Sequence, residues 1–280
     1  MATIAHVLDN TTQRLQTVSD SPRLDAELLL CHSFGLSRTQ LFTRNDDTLN
    51  TKTLDSCEQF IQRRERGEPL AYIVGKREFW SLELVVNQHT LIPRPETELL
   101  VELALQYIDK KQACRIADLG TGSGAIALAL AVERSNSHID ACDTSNNALA
   151  IAQHNAQKHN INNVKFLHSN WFENLQQQKY DLIVSNPPYI AANDKHLQQG
   201  DVRFEPATAL SAENNGYADL FHIAEQATHH LKTKAYLLLE HGFAQQDKLI
   251  DKLKILGYNQ VNGHNDYAQQ PRAISAQWIG

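Results

Sequence analysis

No apolar run in this 280-residue chain approaches the roughly 20 residues that a membrane-spanning helix needs. Its first residues, Met1-Ala2-Thr3-Ile4-Ala5-His6, lack the basic start and apolar core of a signal peptide, so a cytoplasmic protein is expected. Cysteine is sparse. Cys31, Cys57, Cys114 and Cys142 form no C-x-x-C pair, which excludes zinc-type spacing and points to reduced, partly buried thiols. The 13 histidines are scattered and repeat at no ligand spacing, so no metal is expected, and His229-His230 reads as a helix surface. Positive charge is also short. The formal net charge is -6, whereas a protein that grips a long stretch of DNA or RNA usually carries a basic surface.

What remains is ordinary for a globular protein, with 42% hydrophobic and 21% charged residues and length for one large domain or a large and a small one. Residues 1 to about 75 read as short amphipathic helices forming a small helical domain. Pro22 follows Ser21 at a plausible first turn, and a second helix runs from Thr51 through Leu54, Cys57, Phe60 and Ile61 to Gly67. Its end, Arg63-Arg64-Glu65-Arg66, suits the negative pole of the helix and reads as a solvated terminus. Residues 79–86 suit a strand or hairpin. Leu100, Leu103, Ala104, Tyr107 and Ile108 then mark a helix with one buried face.

From about residue 113 the pattern alternates strand and helix. Strands are expected at 115–119, 138–142, 164–167, 180–185 and 235–240, with an alanine-rich helix at 125–132 and another capped by Ser145. Repeated β-then-α units imply a parallel sheet covered on both faces, with ligands bound beyond the carboxyl ends of its strands.

Three constellations sit at such strand ends. The first, Asp118-Leu119-Gly120-Thr121-Gly122-Ser123-Gly124, allows tight turning and close backbone approach to a ligand. Its G-x-G-x-G spacing is not that of dinucleotide sites, no Walker lysine follows, and a plain structural turn has the same composition. The second is Asp143, about twenty residues beyond the loop, where an acid can take both ribose hydroxyls of an adenosine-containing ligand. A helix N-terminal acid would look the same. Together the two indicate an adenosine cofactor and leave dehydrogenase and methyltransferase open.

The third constellation separates them. Asn186-Pro187-Pro188-Tyr189 directly follows an apolar strand, and its two prolines remove backbone donors so that the turn presents carbonyls. The Asn186 oxygen and a turn carbonyl can accept both hydrogens of an NH2 group, while Tyr189 offers a flat face to a planar amide or base. Such a site suits a trigonal nitrogen. An N6-adenine methyltransferase acting on DNA or RNA could use it too, although the acidic balance argues against that. A non-catalytic cofactor-binding adaptor would have no use for it.

In combination these features resemble the class I, Rossmann-like α/β methyltransferase fold, with a mostly parallel seven-stranded sheet. More closely, the chain resembles the HemK/PrmC family, which methylates the glutamine of the Gly-Gly-Gln motif in class 1 peptide chain release factors. The likeness runs through Gly67-Glu68-Pro69-Leu70-Ala71-Tyr72-Ile73, Ile92-Pro93-Arg94-Pro95-Glu96-Thr97-Glu98, the glycine loop, the tetrapeptide, Arg203-Phe204-Glu205-Pro206 and Glu240-His241-Gly242. The resemblance implies a small N-terminal helical bundle at 1–75 that docks the release factor, a β-hairpin linker at 76–95 and a catalytic domain at 96–280. It implies S-adenosyl-L-methionine as cofactor, with S-adenosyl-L-homocysteine as product. Gly120, Thr121, Gly122, Ser123 and Gly124 would contact its methionine part, Asp143 its ribose, Asn170 its adenine amino group, and Trp171 and Asn186 would lie beside it. Asn186, Pro187, Pro188 and Tyr189 would bind the glutamine amide, with Asn186, Pro187 and Tyr189 catalytic. The implied partner is a release factor, with neither membrane nor direct nucleic-acid binding, and the expected state is a monomer. Two departures stand out. Asn170 replaces the acid common near the adenine, and the tail from Asp266 to Gly280 looks irregular.

Overall fold

A computed structural model describes residues 2–175 and 179–280. The chain divides into two compact units, one holding the residues up to 76 together with 198–204, the other holding the rest. Among the described residues, no helix is long and apolar enough to cross a membrane.

The first unit contains helices α1 (Ile4–Arg14), α2 (Pro22–Phe34), α3 (Arg38–Thr43), α4 (Thr51–Glu65) and α5 (Leu70–Val74). Thr3, Ser37 and Asn50 start three of them by accepting a first-turn N–H. Pro22 opens α2, and Gly35 and Gly75 close α2 and α5 in the left-handed conformation. Leu8, Leu29, Leu30, Leu41, Cys57 and Ile61 are among the side chains buried in one apolar cluster. The basic end of α4 departs from the solvated terminus that its sequence suggests. Arg64 is buried and pairs with Asp25 at 2.7 Å and Asp201 at 3.0 Å, while Arg63 holds Glu68 at 2.8 Å. The carboxylates that draw Arg64 inward come from α2 and from residue 201, which no local spacing reveals.

The second unit starts at Arg77, within the first strand of a hairpin of β1 (Lys76–Phe79) and β2 (Leu82–Val85), which is followed by α6 (Glu98–Tyr107). Then come β3 (Arg115–Leu119), α7 (Ala125–Glu133), β4 (His138–Asp143), α8 (Asn146–Lys158), β5 (Val164–His168) and β6 (Tyr180–Ser185). A short pair, β7 (Ile190–Ala191) and β8 (Ser211–Ala212), leads into α9 (Glu213–Gly216) and α10 (Ala218–Ala227). The chain ends with β9 (Leu231–Glu240), α11 (Gln246–Ile255), β10 (Asn259–Asn265) and β11 (Pro271–Gln277). Among the described residues the central sheet has seven strands in the order β10-β11-β9-β6-β3-β4-β5. β11 runs antiparallel to both neighbours and the other pairs are parallel. Strand residues alternate between faces as a pleated sheet requires. Ile116, Leu182, Val184 and Leu238 pack with α6 and α7 on one side; Ala117, Leu119, Ile183, Leu237 and Leu239 pack with α10 and α11 on the other. The small side chains of α7 bring it close, and its residues 125–131 are all buried.

Two expectations change here. The tail contains β11, whose Ala273, Ile274, Ser275 and Ala276 are buried between β9 and β10. His229 and His230 lie in the turn after α10, and the His230 ring stacks on Phe172 with centroids 4.6 Å apart.

Candidate functional site

Register brings the site together. Leu119 pairs with Cys142 and Ser185, and Ser185 pairs with Leu239, so the carboxyl ends of four adjacent parallel strands lie level. The next residues, Gly120, Asp143, Asn186 and Glu240, therefore emerge side by side. Strand order reverses between β3 and β6, which is where open α/β sheets place ligands.

Gly120, Gly122 and Gly124 all have positive φ, at 72°, 56° and 86°. A Cβ on Gly120 would also lie 3.3 Å from Trp171 Cζ3, so both conformation and space favour glycine there. The Gly120 and Thr121 N–H groups donate to the Cys142 carbonyl at 2.9 and 2.8 Å. The Gly122 N–H donates to Asp143 Oδ2 at 2.9 Å, and the Ser145 N–H donates to Oδ1 at 2.8 Å. Each Asp143 oxygen thus keeps a lone pair for a further donor. Thr121 turns inward and donates its hydroxyl to Asp118 at 2.6 Å. Ser123 is buried and its carbonyl accepts the Asn155 amide at 3.0 Å.

In the tetrapeptide Pro187 is buried, while Asn186, Pro188 and Tyr189 are half-buried. Asn186 Nδ2 donates to Thr97 Oγ1 at 3.2 Å. The Tyr189 hydroxyl donates to Glu240 Oε1 at 3.1 Å, and its carbonyl accepts the Gln245 amide at 3.1 Å. Burial, reinforced by the Glu240 charge, holds the Tyr189 hydroxyl well above its usual range. Burial likewise raises the Glu240 carboxyl, against hydrogen bonds from Thr97 and Tyr189 and the nearby Arg272 charge. Beneath the turn, Gly216 has φ of 84°, and a Cβ there would stand 2.1 Å from the Tyr189 carbonyl oxygen.

A cleft of about 450 Å³ opens over this edge. Of the residues expected from sequence, Gly120, Gly122, Asp143, Asn170, Trp171, Asn186 and Pro188 line it. Thr121, Ser123, Gly124, Pro187 and Tyr189 do not line it; they shape the loop and turn from behind. Trp171 takes a positive φ of 48°, is half-buried, and both packs on the adjoining apolar cluster and lines the cleft. Asn170 donates its amide to Glu173 at 2.9 Å, leaving its oxygen free to accept.

Asp219 escaped the sequence reading, whereas Thr97 and Glu240 entered it only as members of the Ile92-to-Glu98 and Glu240-to-Gly242 segments, without a role. Asp219 lines the cleft, takes a hydrogen bond from Trp171, and is raised by burial. In sequence it is an ordinary first-turn acid of α10. Glu240 was marked by its place in Glu240-His241-Gly242 at a strand end, and Thr97 by its place in Arg94-to-Glu98, but neither signal says what the side chain contacts.

The family model "Methyltransferase small domain" matches residues 96–240, and "PrmC N-terminal domain" matches residues 6–75. A release factor glutamine methyltransferase of Escherichia coli (strain K12) is 48% identical over 98% of this chain and 98% of its own. Relatives of the same name from Shewanella oneidensis and Coxiella burnetii are 46% and 45% identical, each over 99% of this chain and over 96% and 99% of their own. Solved structures share the fold at lower identity. The hMettl16 catalytic domain, solved with the MAT2A 3'UTR hairpin 6, has a TM-score of 0.59 at 18% identity, covering 79% of this chain and 82% of that one. A methyltransferase from Pyrococcus furiosus has a TM-score of 0.54 at 15% identity, covering 78% and 98%. With relatives this similar over almost their whole length, the chain belongs to the release factor glutamine methyltransferase family.

Proposed function

We propose that the chain transfers the methyl group of S-adenosyl-L-methionine to the side-chain amide nitrogen (N5) of the glutamine in the Gly-Gly-Gln motif of class 1 peptide chain release factors, in the cytoplasm and as a monomer. One observation carries this reading: Asn186 is tied through its nitrogen to Thr97, so its oxygen is left to accept from an NH2 group beside the glycine loop. The cleft fits the cofactor. Asp143 keeps two lone pairs for a ribose, Gly120 and Gly122 offer bare backbone, and Trp171 supplies an apolar wall. When bound, S-adenosyl-L-methionine supplies an electrophilic methyl group on a sulfonium.

The residues of the chain do the rest by placement. An amide nitrogen is a poor nucleophile because its lone pair is delocalised. Asn186 Oδ1 and a carbonyl of the Pro187-Pro188 turn accept its two hydrogens, which orients the lone pair toward the methyl donor. The nitrogen takes the methyl group, with S-adenosyl-L-homocysteine as leaving group, and the cationic nitrogen then releases one proton to solvent. Tyr189, fixed by Glu240 and Gln245, holds the turn that presents those acceptors. Positioning of this kind supplies on the order of 7–11 kcal/mol in well-oriented systems. The helices up to residue 75 take the docking role, residues 76–95 the linker, and residues 96–280 the chemistry.

The test is transfer of labelled methyl from the cofactor to a release factor, to a release factor with its Gly-Gly-Gln glutamine substituted, and to DNA. Label is expected on the first alone; label confined to DNA would overturn the reading. Asn186→Ala is expected to lower kcat about 100-fold while cofactor binding, followed by calorimetry, stays near wild type. Near-normal turnover in that variant would remove Asn186 from the catalytic role.

A further inference from the structure

Two sequence motifs, Ile92-to-Glu98 and Arg203-to-Pro206, supply no group to the proposed transfer, yet they meet through Glu205. We infer that Glu205 and Arg94 are positioning residues, a clasp between the two segments that hold the ends of the Asn186-to-Tyr189 tetrapeptide. The inference rests on the proposed amide methylation.

The Glu205 side chain has no solvent exposure, so its two oxygens need donors within the protein. Oε2 accepts the Ile92 N–H at 3.0 Å, and Oε1 accepts from the Arg94 guanidinium. A backbone N–H and a guanidinium can only donate, so the polarity of both bonds is fixed. The joined segments are stiff. Pro93 and Pro95 flank Arg94, and Pro206 follows Glu205. A residue before proline is held extended, and Arg94 has φ of -97° and ψ of 143°.

Each segment then reaches one end of the tetrapeptide. On the first, the Arg94 carbonyl accepts the Thr97 N–H at 3.1 Å, and Thr97 Oγ1 accepts from Asn186 Nδ2 at 3.2 Å. On the second, the Leu210 carbonyl accepts at 3.0 Å from the N–H of Ile190, the residue after Tyr189. Ser211 and Ala212 continue that segment as β8, which pairs with β7. Both segments also line the cleft, one with Thr90 and Leu91, the other with Pro206, Thr208 and Ala209. Pro187 and Pro188 bring no N–H to the turn, so its ends are held from outside. With the clasp open, the two holders are free to shift relative to each other, and a misplacement of about 1 Å is enough to depress turnover.

Glu205→Gln tests the clasp with little change of shape. Its oxygen can stay on Ile92, but its NH2 then faces the guanidinium, donor against donor, and Arg94, 34% exposed, turns to water. Glu205→Gln and Arg94→Ala are each expected to lower kcat about 10-fold, with KM for the release factor near wild type. Arg94 meets Glu205 through Nη2, a contact that an ammonium can replace, so Arg94→Lys is expected to retain most of kcat. A clasp that only stabilised the fold would leave kcat of the folded protein unchanged. Hydrogen exchange supplies a readout independent of turnover. The Thr97 and Ile190 amides should exchange faster in Glu205→Gln and Arg94→Ala but not in Arg94→Lys, with the Ile116 and Leu182 amides unchanged throughout. Wild-type kcat in Glu205→Gln, equal losses in Arg94→Lys and Arg94→Ala, or unaltered exchange at Thr97 and Ile190 would overturn the inference. If the wild-type protein leaves the release factor unmethylated, the proposed function fails, and hydrogen exchange still decides whether the clasp holds. Should Glu205→Gln fail to fold, Arg94→Ala carries the same readouts, because water can enter at the Arg94 position to reach the carboxylate.

Discussion

Asp118 lies fully buried under the glycine loop, where its Oδ2 accepts the Thr121 hydroxyl at 2.6 Å and the Ala127 N–H at 3.2 Å. Among the described residues, its Oδ1 has no partner. Burial pushes this carboxyl up to about 7; the two hydrogen bonds oppose the rise and the neighbouring Asp143 charge adds to it. The folded state therefore holds the proton more tightly than the unfolded chain, whose carboxyl titrates near 3.8. Stability from this group is fully present below that value, declines as pH rises, and levels off above about 7. The span corresponds to on the order of 4 kcal/mol. Asp118→Asn keeps an oxygen for Thr121 and Ala127, cannot ionise, and adds only a pH-independent offset from its unpaired NH2. Urea denaturation at a series of pH values is expected to show the variant gaining on wild type between pH 4 and about 7. Parallel profiles would show that Asp118 does not titrate there. The acids that ion pairs hold low, such as Glu58 and Glu68, change stability in the opposite sense, but they are common to both proteins and cancel.

At the scale of elements, one buried side chain joins three pieces of the second unit. Asn155 on α8 accepts the Val85 N–H at 2.7 Å and donates to the Val85 and Ser123 carbonyls, each at 3.0 Å. It fastens β2 and the glycine loop to one helix. Asn155→Ala strands one donor and two acceptors, an expected loss of about 3 kcal/mol. Urea denaturation measures that loss, and hydrogen exchange at the Val85 amide should accelerate; unchanged exchange would mean the hairpin is held elsewhere. No pattern in the sequence singles out Asn155, because α8 carries several amide side chains and only the neighbouring elements decide which one turns inward. β11 was hidden for a related reason. Its Ala273, Ser275 and Ala276 carry too little apolar character to announce a strand, and pairing between β9 and β10 is what buries them. The glycine loop, Asp143 and the tetrapeptide were legible because each follows an apolar strand, and parallel register aligns strand ends. The contacts of Thr97 with Asn186 and of Glu240 with Tyr189 were not, since they join distant segments.

At the scale of the molecule, stability rests on separate apolar cores. Leu29, Leu30 and Ile61 belong to a cluster drawn from residues up to 76, and none of its members occurs in the two clusters that flank the sheet. Within that first unit Arg64 pairs with Asp25, with side-chain exposures of 7% and 9%, and binds Asp201 of the 198–204 segment, which is 43% exposed. Arg203 donates to the Arg66 carbonyl at 2.8 Å and adds a second tie to that segment. Arg64→Met leaves Asp25 charged and buried, whereas Asp201 can turn to water. Removing one partner of a buried pair costs about 3–5 kcal/mol, mostly through the charge left behind. Hydrogen exchange should therefore show the Leu29, Leu30 and Ile61 amides losing protection, with the Ile116, Leu182 and Leu238 amides and cofactor affinity near wild type. Adding Asp25→Asn to Arg64→Met should recover much of the loss, because the stranded charge is gone. Retained protection at the first set in Arg64→Met would show that the pair contributes little. Equal losses at both sets would show that the two cores unfold as one.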